Sequence, residues 1–185
     1  MCVGITLRMK NEKFTYCFLL FVLIFLFLVR TAAAQSKYVL PYPSSMPGNF
    51  AYKLHVIFEH VSKYWYFGDF GQSDYNLKLS DKYLVEAKTL FEYRQYLLGQ
   101  KALKISDEYF ARIASFLEKV SSKKKDVSNK RAVLKEASLK HIEILEIIDR
   151  ETPDIFNWQP EKATSTSLYL KKDIENAINI RKNNF

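Results

Sequence analysis

The residues able to do chemistry are few, and their spacing limits what each can do. The three imidazoles are His55, His60 and His141. A zinc site on one helix needs histidines four apart, so that both rings reach the same ion. His55 and His60 stand five apart and point to different sides of a helix, so no metal role is expected. His141 falls on an apolar stripe, the setting of a hydrogen-bonded core histidine. Acids such as Asp107-Glu108 read as helix-surface residues, and a catalytic carboxylate pair would have to be assembled across helices. The sequence holds no glycine-rich phosphate loop, G-x-S-x-G elbow or H-E-x-x-H. No catalytic residue, cofactor or metal ligand is assigned, and an envelope hydrolase built across helices ranks behind two binding hypotheses.

Those hypotheses rest on two clusters. Lys123, Lys124 and Lys125, with Lys130 and Arg131, make the densest basic patch and are candidate anion contacts. Charge of this kind holds phosphates and anionic polymers. It includes Asp126 and lacks the interleaved aromatics that stack bases, so nucleic acid is disfavoured and a solvated connector competes. The second cluster is Tyr64, Trp65, Tyr66, Phe67 and Phe70. Aromatic patches serve as interface anchors or as sugar- and membrane-contacting surfaces. Trp65 continues a helical stripe and is expected in the core. Tyr64, Tyr66, Phe67 and Phe70, with Tyr42, form the candidate interaction surface.

The first 34 residues read as a leader. Residues 14–29 form an uncharged apolar run, preceded by Arg8, Lys10 and Lys13 and followed by Arg30 and three alanines. A basic start, an apolar stretch and small residues at a cut site are the parts of a secretory signal, with cleavage between Ala34 and Gln35. The alternative is an uncleaved anchor, in which residues 14–29 contact the membrane and the positive flank keeps the amino end cytoplasmic. Under either reading the rest of the chain lies outside the cytoplasm, secreted or membrane-anchored. Cys2 and Cys17 both lie in this leader, so the body is free of disulfides and thiolate sites. Without residues 1–34 the body has 24 basic and 19 acidic residues, a net charge of +5. An excess this small favours solubility but selects no partner.

The elements that must position these groups are helices. No proline occurs between Gly48 and Thr152, a gap that a turn-rich β fold does not tolerate. Phe50, Leu54, Ile57, Phe58, Val61 and Trp65 line one helix face. Residues 67–73 break the pattern, with Ser73 as an N-cap. A second stripe runs Leu77, Ser80, Leu84, Ala87, Phe91, Arg94 and Leu98 and stops at Gly99. A third runs from Ala102 through Ile105, Tyr109, Ile113 and Phe116 to Val120. A fourth holds Leu134, Ala137, His141, Leu145 and Ile148. Residues 153–160 read as a packed irregular loop. A last helix starts at Pro160 and shows Leu170, Ile174, Ala177 and Ile178. The expectation is an all-α, up-and-down bundle of about five helices over residues 50–182, preceded by an apolar leader helix. An extended proline-containing segment spans 35–49 and a frayed tail spans 183–185.

Within residues 35–49 the run Tyr38-Val39-Leu40-Pro41-Tyr42-Pro43-Ser44-Ser45-Met46-Pro47-Gly48-Asn49 stands out. Pro41 and Pro43 favour an extended backbone. Either this is an exposed recognition strand, or Tyr38, Leu40 and Tyr42 strap the end of the bundle. The strap is favoured, because three bare apolar groups invite aggregation. The run, with Tyr52-Lys53-Leu54 after it, resembles the opening of a domain-of-unknown-function family of secreted or membrane-attached helical proteins. These are found mostly in candidate-phylum bacteria with small genomes. Leu84-Val85-Glu86-Ala87, Ala102-Leu103 and Lys140–Leu145 are similar to its helices. Ser44 stands where the family has Gly, and Phe50 where a third Pro is common. The resemblance spans most of residues 38–150 and implies a compartment and a helical fold, not a reaction.

The leading expectation is a non-enzymatic interaction or structural module at the cell envelope, whose partner is a protein or envelope component. The alternative is a basic module that binds anionic envelope polymers or extracellular nucleic acid.

Overall fold

Long runs of good helix formers between Gly48 and Pro153 leave the chain little choice but helices joined by tight corners. In the computed structural model, the described residues are 36–43, 46–48, 50–162 and 164–184, together with Tyr16 and Phe18. The expected leader helix, the cut between Ala34 and Gln35, and the rest of residues 14–29 lie outside them. In order, the elements are α1 (Phe50–Ser62), a 3₁₀ turn (Lys63–Trp65), α2 (Gly68–Glu92), α3 (Tyr96–Ser122), α4 (Ser128–Glu151), β1 (Ile155–Trp158), β2 (Thr166–Tyr169) and α5 (Leu170–Lys182). Residues 50–182 fold as an all-α bundle of five helices with one small hairpin.

The helices α2 and α3 form the central antiparallel pair, with α4 on α2 and α5 against both α3 and α4. Small residues let the central pair close up. Ser80 donates to the Ser106 carbonyl at 3.0 Å, and Ser106 returns the bond to Ser80 at 2.8 Å. The main core gathers Leu84, Leu90, Leu103, Leu145, Leu170 and Ile174. A second layer holds Phe110, Ile113, Leu117 and Leu134, and a third is built on Tyr75, Leu79 and Tyr83. Residues 36–185 form one compact unit that contains all three layers, so this body carries its own folding core.

A polar thread crosses the bundle centre. His141 is fully buried, with Nε2 2.7 Å from Asp81 Oδ1 and its ring packed on Phe110. Its other nitrogen lies 3.5 Å from Arg181 Nε. Donation from Nε2 and acceptance at Nδ1 describe a neutral ring. Burial pushes the imidazole below its ordinary value, against the pull of Asp81. Arg181, equally buried, pairs with Asp107 and donates to Ser106 Oγ at 2.9 Å. The thread thus ties α2, α3, α4 and α5 together.

Several boundaries differ from the expected ones. The break expected at residues 67–73 is a sharp corner at Tyr66-Phe67, and Ser73 is buried inside α2 rather than capping it. Gln72 Nε2 ties off this corner by donating to the Tyr66 carbonyl at 2.6 Å. A side chain on Gly71 would come within 2.8 Å of the Tyr66 backbone. The second helix ends at Glu92, not Gly99. Its carbonyls are closed by Arg94 in a left-handed conformation (φ 57°) and by the Gln95 N–H, 2.8 Å from the Leu90 oxygen. Gly99 belongs to α3, where a Cβ would sit 3.1 Å from the Phe91 ring. Lys124 (φ 56°) closes α3 in the same way. The buried stripe of α3 is centred on Leu103, Ser106, Phe110 and Leu117, with Ile105, Tyr109 and Phe116 on its shoulder.

The loop at 153–160 and the first half of the expected last helix are instead the antiparallel hairpin, with Phe156 opposite Leu168. Leu168 is buried and Phe156 packs on Tyr96 at 4.9 Å between centroids, so the hairpin closes the end of the main core. The last helix therefore starts at Leu170. At its end Asn184 donates to the Ile180 carbonyl at 2.7 Å. Phe185 lies outside the described residues.

Candidate interaction surface

The first helix carries one acid among residues 50–65, Glu59, and a full apolar stripe. A pattern of this kind normally turns the stripe inward and leaves the acid in water. Here the order is reversed. Glu59 is 7% exposed, whereas Leu54, Ile57 and Phe58 are 53–60% exposed. Phe50, Val61, Tyr64 and Trp65 are exposed along the same side, and Phe67 follows at the corner. The expected burial of Trp65 is thereby corrected: its ring lies on Phe58, 5.9 Å between centroids, on the outer face.

What holds α1 down is its polar side. Under it lies the tyrosine layer of α2, an unusual floor that offers hydroxyls rather than methyls. Lys82 forms an ion pair with Glu59, and Tyr83 Oη donates to the second Glu59 oxygen at 3.1 Å. Tyr75 donates to the Glu59 carbonyl at 3.0 Å. Two turns before Glu59, Tyr52 Oη donates to Glu86 Oε1 at 3.0 Å, with the Lys82 ammonium over the Tyr52 ring. Burial drives the Tyr83 and Tyr52 phenols well above their ordinary range, and the neighbouring carboxylates add to the rise. Tyr75 is pushed up to about 12, also chiefly by burial. These phenols act as fixed donors. The Glu86 carboxyl is raised by burial, and its Oε2 has no hydrogen-bond partner among the described residues.

The expected surface residues divide. Tyr64 and Phe67 stand out in solvent beside the α1 stripe. Tyr66 is half-buried against Tyr75, 5.4 Å between centroids, and Phe70 packs on the second core layer. Tyr42 is almost fully exposed on the extended segment. Of the two other strap residues, Leu40 packs on the main core and Tyr38 Oη donates to Asp81 Oδ2 at 2.7 Å. The segment is therefore a strap at Tyr38 and Leu40 and open at Tyr42. The outward stripe, rather than the tyrosines beside it, makes up most of the surface; the sequence shows the stripe but not its direction.

The basic cluster divides as well. Lys130 grips both oxygens of Asp74 at 2.7 Å, and Lys123 pairs with Asp69. The Lys123 bond holds the Asp69 carboxyl below its ordinary range. Lys123 pins the start of α2 to the α3–α4 connector, and Lys130 ties it to the first turn of α4. Lys124, Lys125 and Arg131 are exposed. Arg131 borders a hollow of about 400 Å³ with Lys135, Leu117 and Leu134, and Glu118 shares that wall. Two further hollows, about 280 and 350 Å³, lie beside α1 and share His60, Tyr109 and Arg112. Glu86 and Asp107, the two carboxyls raised by burial, border none of these three. Each joins two helices, Glu86 through Tyr52 and Asp107 through Arg181. No described group of histidines and acids is arranged to hold a metal ion.

Among the described residues no helix is long and apolar enough to cross a membrane. Comparison with protein-family models, with curated proteins and with solved structures returned no match.

Proposed function

We propose that this chain is a non-enzymatic, extracytoplasmic interaction module that acts by presenting the outer face of α1. The observation that carries the reading is the inverted helix: Glu59 is buried under Lys82 and Tyr83, while Leu54, Ile57, Phe58 and Trp65 face out. Exposed apolar side chains are common singly, but a contiguous row of this length marks a contact site. Eight groups at roughly 100 Å² each exceed the ~300–600 Å² that soluble monomers leave bare. The leader-like residues 1–34 and the resemblance of the proline run to secreted or membrane-attached helical proteins support the extracytoplasmic placement.

The reading is tested by secreting residues 36–185 behind a cleavable leader into a bacterial periplasm and separating envelope from soluble fractions. The wild-type body stays with the envelope, and the double variant Leu54→Glu, Ile57→Glu is released. A wild-type body recovered wholly soluble and monomeric would overturn the reading.

A further inference from the structure

Resting on that reading, we infer that the partner of the α1 face is the surface of an anionic lipid bilayer. Charge decides among occupants. Every exposed ionisable group on α1 and its 3₁₀ extension is basic or a histidine or tyrosine: Lys53, His55, His60, Lys63 and Tyr64. The one acid, Glu59, is withdrawn under Lys82. Lys53 and His60 border the apolar row, and Lys63 is exposed in the 3₁₀ turn between Val61 and Tyr64. This is the pattern of an interfacial helix, with apolar groups entering the acyl boundary and cations meeting the headgroups. A second copy docked on the same face would set these cations against their own likes.

The anchoring groups fit the depth. A helix of 13 residues is roughly 20 Å long, and it lies flat rather than spanning. Trp65 and Tyr64 stand at one end of the row, the side chains that settle at headgroup level. The inward polar contacts give the helix rigidity: α1 needs no folding on the bilayer, because Tyr52, Glu59 and Tyr75 already hold it.

The experiment uses residues 36–185 with Trp158→Phe, leaving Trp65 as the single indole, mixed with vesicles of phosphatidylcholine and phosphatidylglycerol. Expected are a blue shift of Trp65 emission and quenching by lipids brominated near the headgroup. Replacing Lys53 and Lys63 by Gln should weaken partitioning roughly 25-fold, about fivefold per lysine. Leu54→Glu with Ile57→Glu should abolish it, and vesicles of phosphatidylcholine alone should bind far less. The full chain with Trp158→Phe, reconstituted in the same vesicles, should show the same quenching.

Three outcomes would overturn the assignment. One is a body that ignores these vesicles. Another is a lipid-independent dimer broken by Leu54→Glu. The third is quenching in the body but not in the full chain, which would mean that residues 14–29 cover the face. A body that stays with the envelope in cells yet ignores purified lipid sinks the lipid assignment and leaves the interaction module standing.

Discussion

Tyr83 donates from Oη to Glu59 Oε2 at 3.1 Å, joining the middle of α2 to the only acid of α1. With the Lys82 ion pair it inverts the helix: the polar side of α1 becomes its binding side, and the apolar side is left for something else. Polar docking is reversible in a way that a sealed apolar seam is not, because water can replace each partner. The structure therefore has a sealed bundle, α2 to α5, and a first helix held by a handful of directed contacts.

The first prediction concerns those contacts. Glu59→Ala strips Lys82 and Tyr83 of their acceptor, and losing hydrogen bonds to a charged group costs about 1–3 kcal/mol. Amide exchange in residues 50–62 should quicken roughly ten- to hundred-fold, while α2 to α5 keep their protection. Equal acceleration throughout the body would show that α1 is part of the global unfolding unit.

Glu86 supplies a pH prediction. Burial raises its carboxyl above the ordinary value, with the Tyr52 hydrogen bond and Lys82 opposing and Glu59 adding to the rise. A raised folded-state value means that the folded form holds its proton more tightly than the unfolded form. That contribution is complete below the unfolded value and is lost as pH climbs through the folded one. Glu86→Gln keeps an oxygen for Tyr52 and cannot ionise. Its stability relative to wild type should therefore increase between about pH 4 and pH 7. Urea melts across that range check it, and a difference that stays flat with pH would contradict it.

A third prediction tests the polar thread. Arg181→Ala leaves Asp107 and His141 without their buried partner, and breaking a buried pair costs ~3–5 kcal/mol. Removing both charges together, as Arg181→Met with Asp107→Asn, should recover a large part of that loss. Urea denaturation of the two variants decides it, and a double variant as unstable as Arg181→Ala would refute the account.

The misplaced boundaries yield a fourth. Arg94 is exposed and left-handed, the conformation that costs a side chain about 1–2 kcal/mol. Glycine relieves this at a partly offsetting cost in chain entropy. Arg94→Gly should stabilise the body by ~0.5–1 kcal/mol in thermal or urea melts, and a loss of stability would contradict it.

These same positions explain what could be read from the sequence. The stripe of α4, Leu134, Ala137, His141, Leu145 and Ile148, is buried as its spacing requires, and Lys135, Glu136, Leu139 and Glu146 are left exposed on the other side. The corner after Glu92 was hidden because Arg94 does the work usually given to glycine, while Gly99 serves packing against Phe91. Strands of four residues at 155–158 and 166–169 are too short for a period of two to declare itself. The α1 face shows the deeper limit. Spacing tells which residues share a side, but the direction of that side depends on Tyr75, Lys82, Tyr83 and Glu86, sixteen to thirty-four residues from their partners. A longer separation, 54 and 56 residues, hid Asp69 and Asp74, which engage two of the five basic candidates.

The measurement that tests the inverted helix most directly is thiol accessibility, made simple because residues 36–185 contain no cysteine. Single cysteines placed at Leu54, Ile57 and Val61 should react with a maleimide nearly as fast as a free thiol. One at Val56, on the inner side, should react markedly more slowly. Fast labelling at Val56 with slow labelling at Leu54, Ile57 and Val61 would mean that α1 turns its apolar side to the bundle, and would contradict the account.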